Sequence, residues 1–203
     1  MTVWPGLWVA ALFGALLSVT TPAGAATEAR ALEIVNGQCF ICHGVEGEGS
    51  SPVFPRLAGQ NAEYVARQLR DYKSGRRQSS TMQVLVRELS EADMLALGQY
   101  FASRPVYLHH VSDVALAEMG AVLFHQGRQR GDVPACASCH GAQARGSAGL
   151  PRLAGQHAQY TERQLKLFNK RERTNDNAVM QDVAVKLSET EIKALAMYLS
   201  GLK

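Results

Sequence analysis

The sequence predicts an all-α protein made of two tandem domains related by internal duplication. Three observations carry that expectation. The chain repeats itself: PRLAGQ occurs at 55–60 and again at 151–156, and LVRELSEADMLALGQYF (85–101) matches VAVKLSETEIKALAMYL (183–199), at offsets of 96 and 98. Apolar residues recur at helical spacing behind capping residues in both copies. No stretch alternates apolar and polar residues long enough to make a useful strand.

Taken in order, residues 1–25 read as an export signal. No charged side chain precedes Glu28, Leu7 to Val19 is almost wholly apolar, and small residues at Ala23 and Ala25 place a cut after Ala25. No Lys or Arg precedes the apolar core, so only the terminal amine supplies positive charge there. Pro5, Gly6, Gly14 and Pro22 weaken the alternative of a retained membrane helix. The first domain is then 26–105 and the second 106–203, joined through SRPVYLHHVSD (103–113), which holds Pro105 and no helical period.

Each half has the same plan. A short helix comes first, with Ala31, Ile34 and Val35 facing inward in one copy and Ala115, Met119, Val122 and Leu123 in the other. CFICH (39–43) or CASCH (136–140) follows, then a Gly-rich loop and PRLAGQ. A helix starts near Ala62 or Ala158, where Tyr64, Gln68, Leu69 and Tyr72 match Tyr160, Gln164, Leu165 and Phe168. The last helix opens at Ser90 or Ser188, three residues ahead of Asp93 or Glu191 in capping-box spacing.

Composition excludes little by itself. With 46% hydrophobic and 19% charged residues the chain is an ordinary globular protein. A net charge of +3 without a Lys/Arg cluster argues against nucleic acid as a partner. Residues 26–105 carry 9 basic and 9 acidic groups and residues 106–203 carry 12 and 9, so an acidic partner suits the second domain better.

All four cysteines lie in the two Cys-x-x-Cys-His motifs. Disulfides, usual in exported chains, leave both histidines unexplained, and so does a four-thiolate zinc site. Covalent haem uses every member: Cys39 and Cys42, or Cys136 and Cys139, share one helical face and can form two thioethers, and His43 or His140 follows as iron ligand. The sixth iron position then separates electron transfer from bond chemistry. Met82 and Met180 are the methionines that correspond across the repeat, 39 residues after His43 and 40 after His140. His109, His110, His125 and His157 are not repeated, which argues against a second histidine ligand.

PRLAGQ also needs a reason to recur. The carbonyl of Pro55 or Pro151, held by a rigid ring, suits the role of acceptor for the ligand histidine's other N–H. Arg56 and Arg152 could pair with haem propionates, as could the hydroxyls of Tyr64 and Tyr160.

With these residues in view the chain resembles the cytochrome c4 family of dihaem cytochromes c. CFICHG and CASCHG, the doubled PRLAGQ, the Y-x-x-x-Q-L helix starts, Met82 and Met180, and the two endings all fit, over nearly the whole chain from about residue 28. The resemblance implies two class I cytochrome c domains facing one another about a pseudo-twofold axis, two covalently attached haem c groups with propionates near the interface, and His/Met iron in both halves. It implies a periplasmic carrier, soluble or peripherally attached to the membrane, taking electrons from a quinol–cytochrome c reductase or a dehydrogenase and passing them to a terminal oxidase. The runner-up is a dihaem electron-accepting subunit of a periplasmic dehydrogenase, of the flavocytochrome sulfide dehydrogenase type. A dihaem peroxidase fits less well, since both halves offer a methionine and no evident acid or base beside it. No catalytic residue is expected.

Overall fold

A computed structural model describes residues 1, 23–107, 109–128, 131–147 and 149–203. The apolar core of the expected export signal lies outside the described residues. In the first half α1 (Ala23–Ile34) passes through a π-helical turn (Val35–Cys39) straight into α2 (Phe40–His43). Then come α3 (Ala62–Lys73), the short α4 (Ser80–Leu85) and α5 (Glu91–Ala102). In the second half α6 (Val114–Gln126) is separated by a loop from α7 (Ala137–His140), and α8 (Ala158–Asn169), α9 (Val179–Ala184) and α10 (Glu189–Ser200) follow. Among the described residues the only extended pairing is an isolated bridge between Ser147 and Leu150.

Local chemistry sets these boundaries. Asn61 caps α3 by accepting from the amides of Glu63 and Tyr64, and Asp113 caps α6 by accepting from Leu116. Both expected capping boxes form: Ser90 and Asp93 bond reciprocally at the start of α5, Ser188 and Glu191 at the start of α10. The short helices that carry Met82 and Met180 have too few residues to show a period in the sequence.

Each half builds its own core. In the first, α5 packs on α1 and α3, burying Val35, Val65, Leu97, Tyr100 and Phe101. In the second, α10 packs on α6 and α8, burying Leu123, Phe124, Ile192, Leu195 and Leu199. The expected inner face of α6 is rotated. Met119 and Val122 are each 54% exposed, whereas Gly120, Leu123 and Phe124 face the core. Gly120 lies against the carbonyl of Ala194, a closeness that no side chain allows, and this turns α6 about its axis.

The halves meet through reciprocal hydrogen bonds made by the two PRLAGQ segments. Gln60 Nε2 donates to the Arg152 carbonyl (2.9 Å) and Gln60 Oε1 accepts from the Arg152 amide (2.7 Å). Gln156 Nε2 donates to the Arg56 carbonyl (3.0 Å) and its Oε1 accepts from the Arg56 amide (2.9 Å). Such exchange of equivalent contacts is the mark of a twofold relation. The same six letters therefore recur for a reason beyond turn formation: each copy grips the other.

Candidate functional site

Each Cys-x-x-Cys-His motif forms one helical turn whose last residue is buried. His43 is 8% exposed and His140 is 7% exposed. The turn ends abruptly at Gly44 and Gly141, and the Gly-rich loop folds back: the amides of Gly49 and Gly146 donate to the carbonyls of His43 and His140. The loop then delivers proline to the histidine. His43 Nδ1 lies 3.0 Å from the Pro55 carbonyl, and His140 Nδ1 lies 3.4 Å from the Pro151 carbonyl. A carbonyl only accepts, so Nδ1 carries the proton in both rings. Burial holds both imidazoles below the ordinary histidine pKa, and the proline carbonyls oppose it only in part. Each ring is thus neutral near pH 7 and keeps a lone pair on Nε2, the form that ligates a metal.

No disulfide joins any of the four cysteines. Burial pushes the Cys39 and Cys136 thiols up to about 11. Among the described residues no three His, Cys, Asp or Glu side chains gather as a metal cluster. Met82 lies half-buried against the first core, and Cys39 packs on the same cluster. Met180 follows a different entry: Asn177 and Ala178 both adopt positive φ (56° and 68°), and the Met180 amide is held by Asp176 Oδ2 at 2.5 Å.

At the arginine of each PRLAGQ, the guanidinium of Arg56 donates to the carbonyls of Gly155 (2.5 Å) and Glu48 (3.1 Å), and that of Arg152 to the Ala154 carbonyl (3.2 Å). Tyr64 and Tyr160 are brought together at the interface, with two arginines that sequence reasoning missed. Arg173 donates to Tyr64 Oη (3.0 Å), Gln68 Oε1 (3.1 Å) and Gln164 Oε1 (2.7 Å). Arg77 donates to Tyr160 Oη (2.9 Å), Gln164 Oε1 (2.9 Å) and Gln68 Oε1 (2.6 Å). Burial alone would raise the Tyr64 hydroxyl, but the guanidinium charges of Arg173 and Arg77 outweigh it and hold it low. Arg77 and Arg173 recur at an offset of 96, the one sequence signal that could have found them. Among the unrepeated histidines, His125 meets Tyr198 Oη at 2.8 Å, and His109 sits beside His157.

The residues fit haem. Arg77 and Arg173 are 7% and 8% exposed, yet neither has a carboxylate within ion-pair reach among the described residues. Buried cations of this kind call for anions, and propionates are anions. Arg67 Nε and Gln68 Nε2 on α3 and Thr161 Oγ1 on α8 are buried polar atoms without a hydrogen-bond partner.

Comparison with known proteins gives a consistent answer. The family model described as Cytochrome c matches residues 29–104 and 117–203. The chain is 38% identical to cytochrome c4 of Pseudomonas aeruginosa, over 92% of this chain and 94% of that one. It is 35% identical to the thiosulfate dehydrogenase electron acceptor of Stutzerimonas stutzeri, over 81% of this chain and 78% of that protein. The crystal structure of reduced recombinant cytochrome c4 from Pseudomonas stutzeri superposes with a TM-score of 0.81 at 38% identity, covering 87% of this chain and 98% of the other.

Proposed function

We propose a role for this chain from the premise that it belongs to the cytochrome c family, within the cytochrome c4 group, and is a dihaem electron carrier with two covalently attached haem c groups. Residues 1–25 direct export, and the domains 26–105 and 106–203 each hold one haem in the periplasm. Among the described residues no helix is long and apolar enough to cross a membrane. Cys39 and Cys42 anchor the first group by thioethers, Cys136 and Cys139 the second. His43 and Met82 ligate one iron, His140 and Met180 the other.

Haem iron so held supplies a reversible one-electron couple whose potential a methionine sulfur raises. The chain's own residues do the rest. Pro55 and Pro151 fix the ring orientation of His43 and His140 through their carbonyls. The apolar cores keep water from the histidine side, and Arg77, Arg173, Tyr64 and Tyr160 offer donors to carboxylates at the interface. Arg56 and Arg152 line the same seam. Electrons come from a quinol–cytochrome c reductase or a dehydrogenase and leave to a terminal oxidase, with the more basic second half meeting an acidic partner.

The observation that carries this reading is the repeated pairing of a buried histidine with a proline carbonyl, at 3.0 Å and 3.4 Å. Absorption and magnetic circular dichroism of the holoprotein test it. Met82→Ala and Met180→Ala should each remove the sulfur-to-iron charge-transfer band of one half, and the double variant all of it. Retention of the full band in either single variant would refute the assignment.

Similarity to the thiosulfate dehydrogenase electron acceptor supports a second reading, in which the chain is the dihaem acceptor subunit of a periplasmic dehydrogenase. Purification from native membranes and periplasm separates the two: a stoichiometric catalytic partner supports the subunit, and a free monomer supports the carrier.

A further inference from the structure

We propose that Gln156 and Gln60 are positioning residues, each tuning the ligand histidine of the opposite half. The inference rests on the assignment of His43 and His140 as iron ligands. The carbonyl of Pro55, which accepts from His43 Nδ1 at 3.0 Å, and the amide N–H of Arg56 belong to one peptide group. That N–H donates to Gln156 Oε1, in the other half, at 2.9 Å. The mirror path runs from His140 through the Pro151 carbonyl (3.4 Å) and the Arg152 amide to Gln60 Oε1 (2.7 Å).

The orientation of both carboxamides is fixed by their surroundings. Gln60 Oε1 also accepts from the Asn61 amide and Gln156 Oε1 from the His157 amide, both at 2.9 Å, while each Nε2 meets a carbonyl. Exchanging O and N would set donor against donor and acceptor against acceptor. Gln60 and Gln156 are 6% and 7% exposed, so bulk water does not replace them easily.

A peptide whose N–H donates is polarised, and its oxygen becomes the stronger acceptor. A stronger acceptor draws the Nδ1 proton of the histidine and raises the basicity of Nε2. A more basic axial ligand favours the oxidised iron and lowers the potential. Each half thus sets part of the other's potential across the interface. The 3.0 Å link at Pro55 is better made than the 3.4 Å link at Pro151, so Gln156 acts on the first half more strongly than Gln60 acts on the second.

Redox titration of the holoprotein, with the two haems resolved by paramagnetic NMR, tests the crossing. Gln156→Leu should raise the midpoint of the first half, move the hyperfine-shifted ring protons of His43, and leave the second half near its original value. Gln60→Leu should do the reverse, less strongly. If either leucine variant fails to accumulate, Gln156→Met and Gln60→Met make the same comparison with chain length kept. Equal shifts in both halves, or a shift confined to the half that carries the substitution, would mean that the glutamines only pack the interface, and would overturn the proposal. Unmoved potentials in a protein with intact His/Met spectra overturn it alone. Absence of His/Met spectra in the unaltered protein overturns the ligand assignment as well.

Discussion

Gly98 lies in α5 where it crosses the start of α3, and a Cβ there would collide with the Ala62 carbonyl. Such a clash moves backbone against backbone, so Gly98→Ala should destabilise by about 1–3 kcal/mol even though alanine is the better helix former. Thermal unfolding of the holoprotein checks this; a raised midpoint would show that α5 can shift. Nothing in the sequence marks Gly98 as special, because its reason is a neighbour 36 residues away in the chain. Arg77 and Arg173 were hidden differently. They recur, but within SGRRQSS and RERTND, whose flanking residues do not match, so the pair does not stand out as PRLAGQ does.

At the level of elements, the long helices were legible because period, caps and duplication agreed about them. The short ones were not. Entry to α9 shows what local sequence concealed: its N-cap residue Ala178 takes φ 68° with no side-chain cap, whereas the counterpart of Asn177, Ser79, caps α4 by accepting from the Met82 amide. A left-handed alanine is strained by about 1–2 kcal/mol. Ala178→Gly should therefore stabilise the second half by about 0.5–1 kcal/mol, part of the relief being offset by a freer unfolded chain; chemical denaturation followed at the second haem measures it. The start of α10 carries a pH dependence. Arg128 beside Glu191 holds its carboxyl down at about 2, against partial burial, with help from the Ser188 amide and hydroxyl. A depressed carboxylate contributes stability that is present above its unfolded value of about 4.5 and is lost as pH falls toward 2. Between those limits urea midpoints should fall with acid, and Glu191→Gln should flatten that part of the slope. The effect will be modest because both side chains are about one quarter exposed.

For the whole molecule, duplication made most of the architecture readable, while partner choice across the interface was not. Gln60 and Gln156 were visible as repeated letters, but no local pattern says that a glutamine bonds the backbone of the other copy. The two cores are separate clusters, and the seam between them is largely polar. Replacing Arg77 and Arg173 together by alanine should therefore loosen the seam without unfolding either half. Small-angle scattering should report a larger radius of gyration while far-ultraviolet circular dichroism stays constant; loss of helix instead would show that the halves fold only together.

The exchanged glutamine contacts bear on ancestry. Two identical single-haem units meeting in this way would form every one of those bonds twice, which is the geometry of a symmetric homodimer. Residues 103–113 would then be the suture that made the pairing permanent. Once fused, the copies were released from identity, and the differing entries to the methionine helices record how far each has since gone its own way.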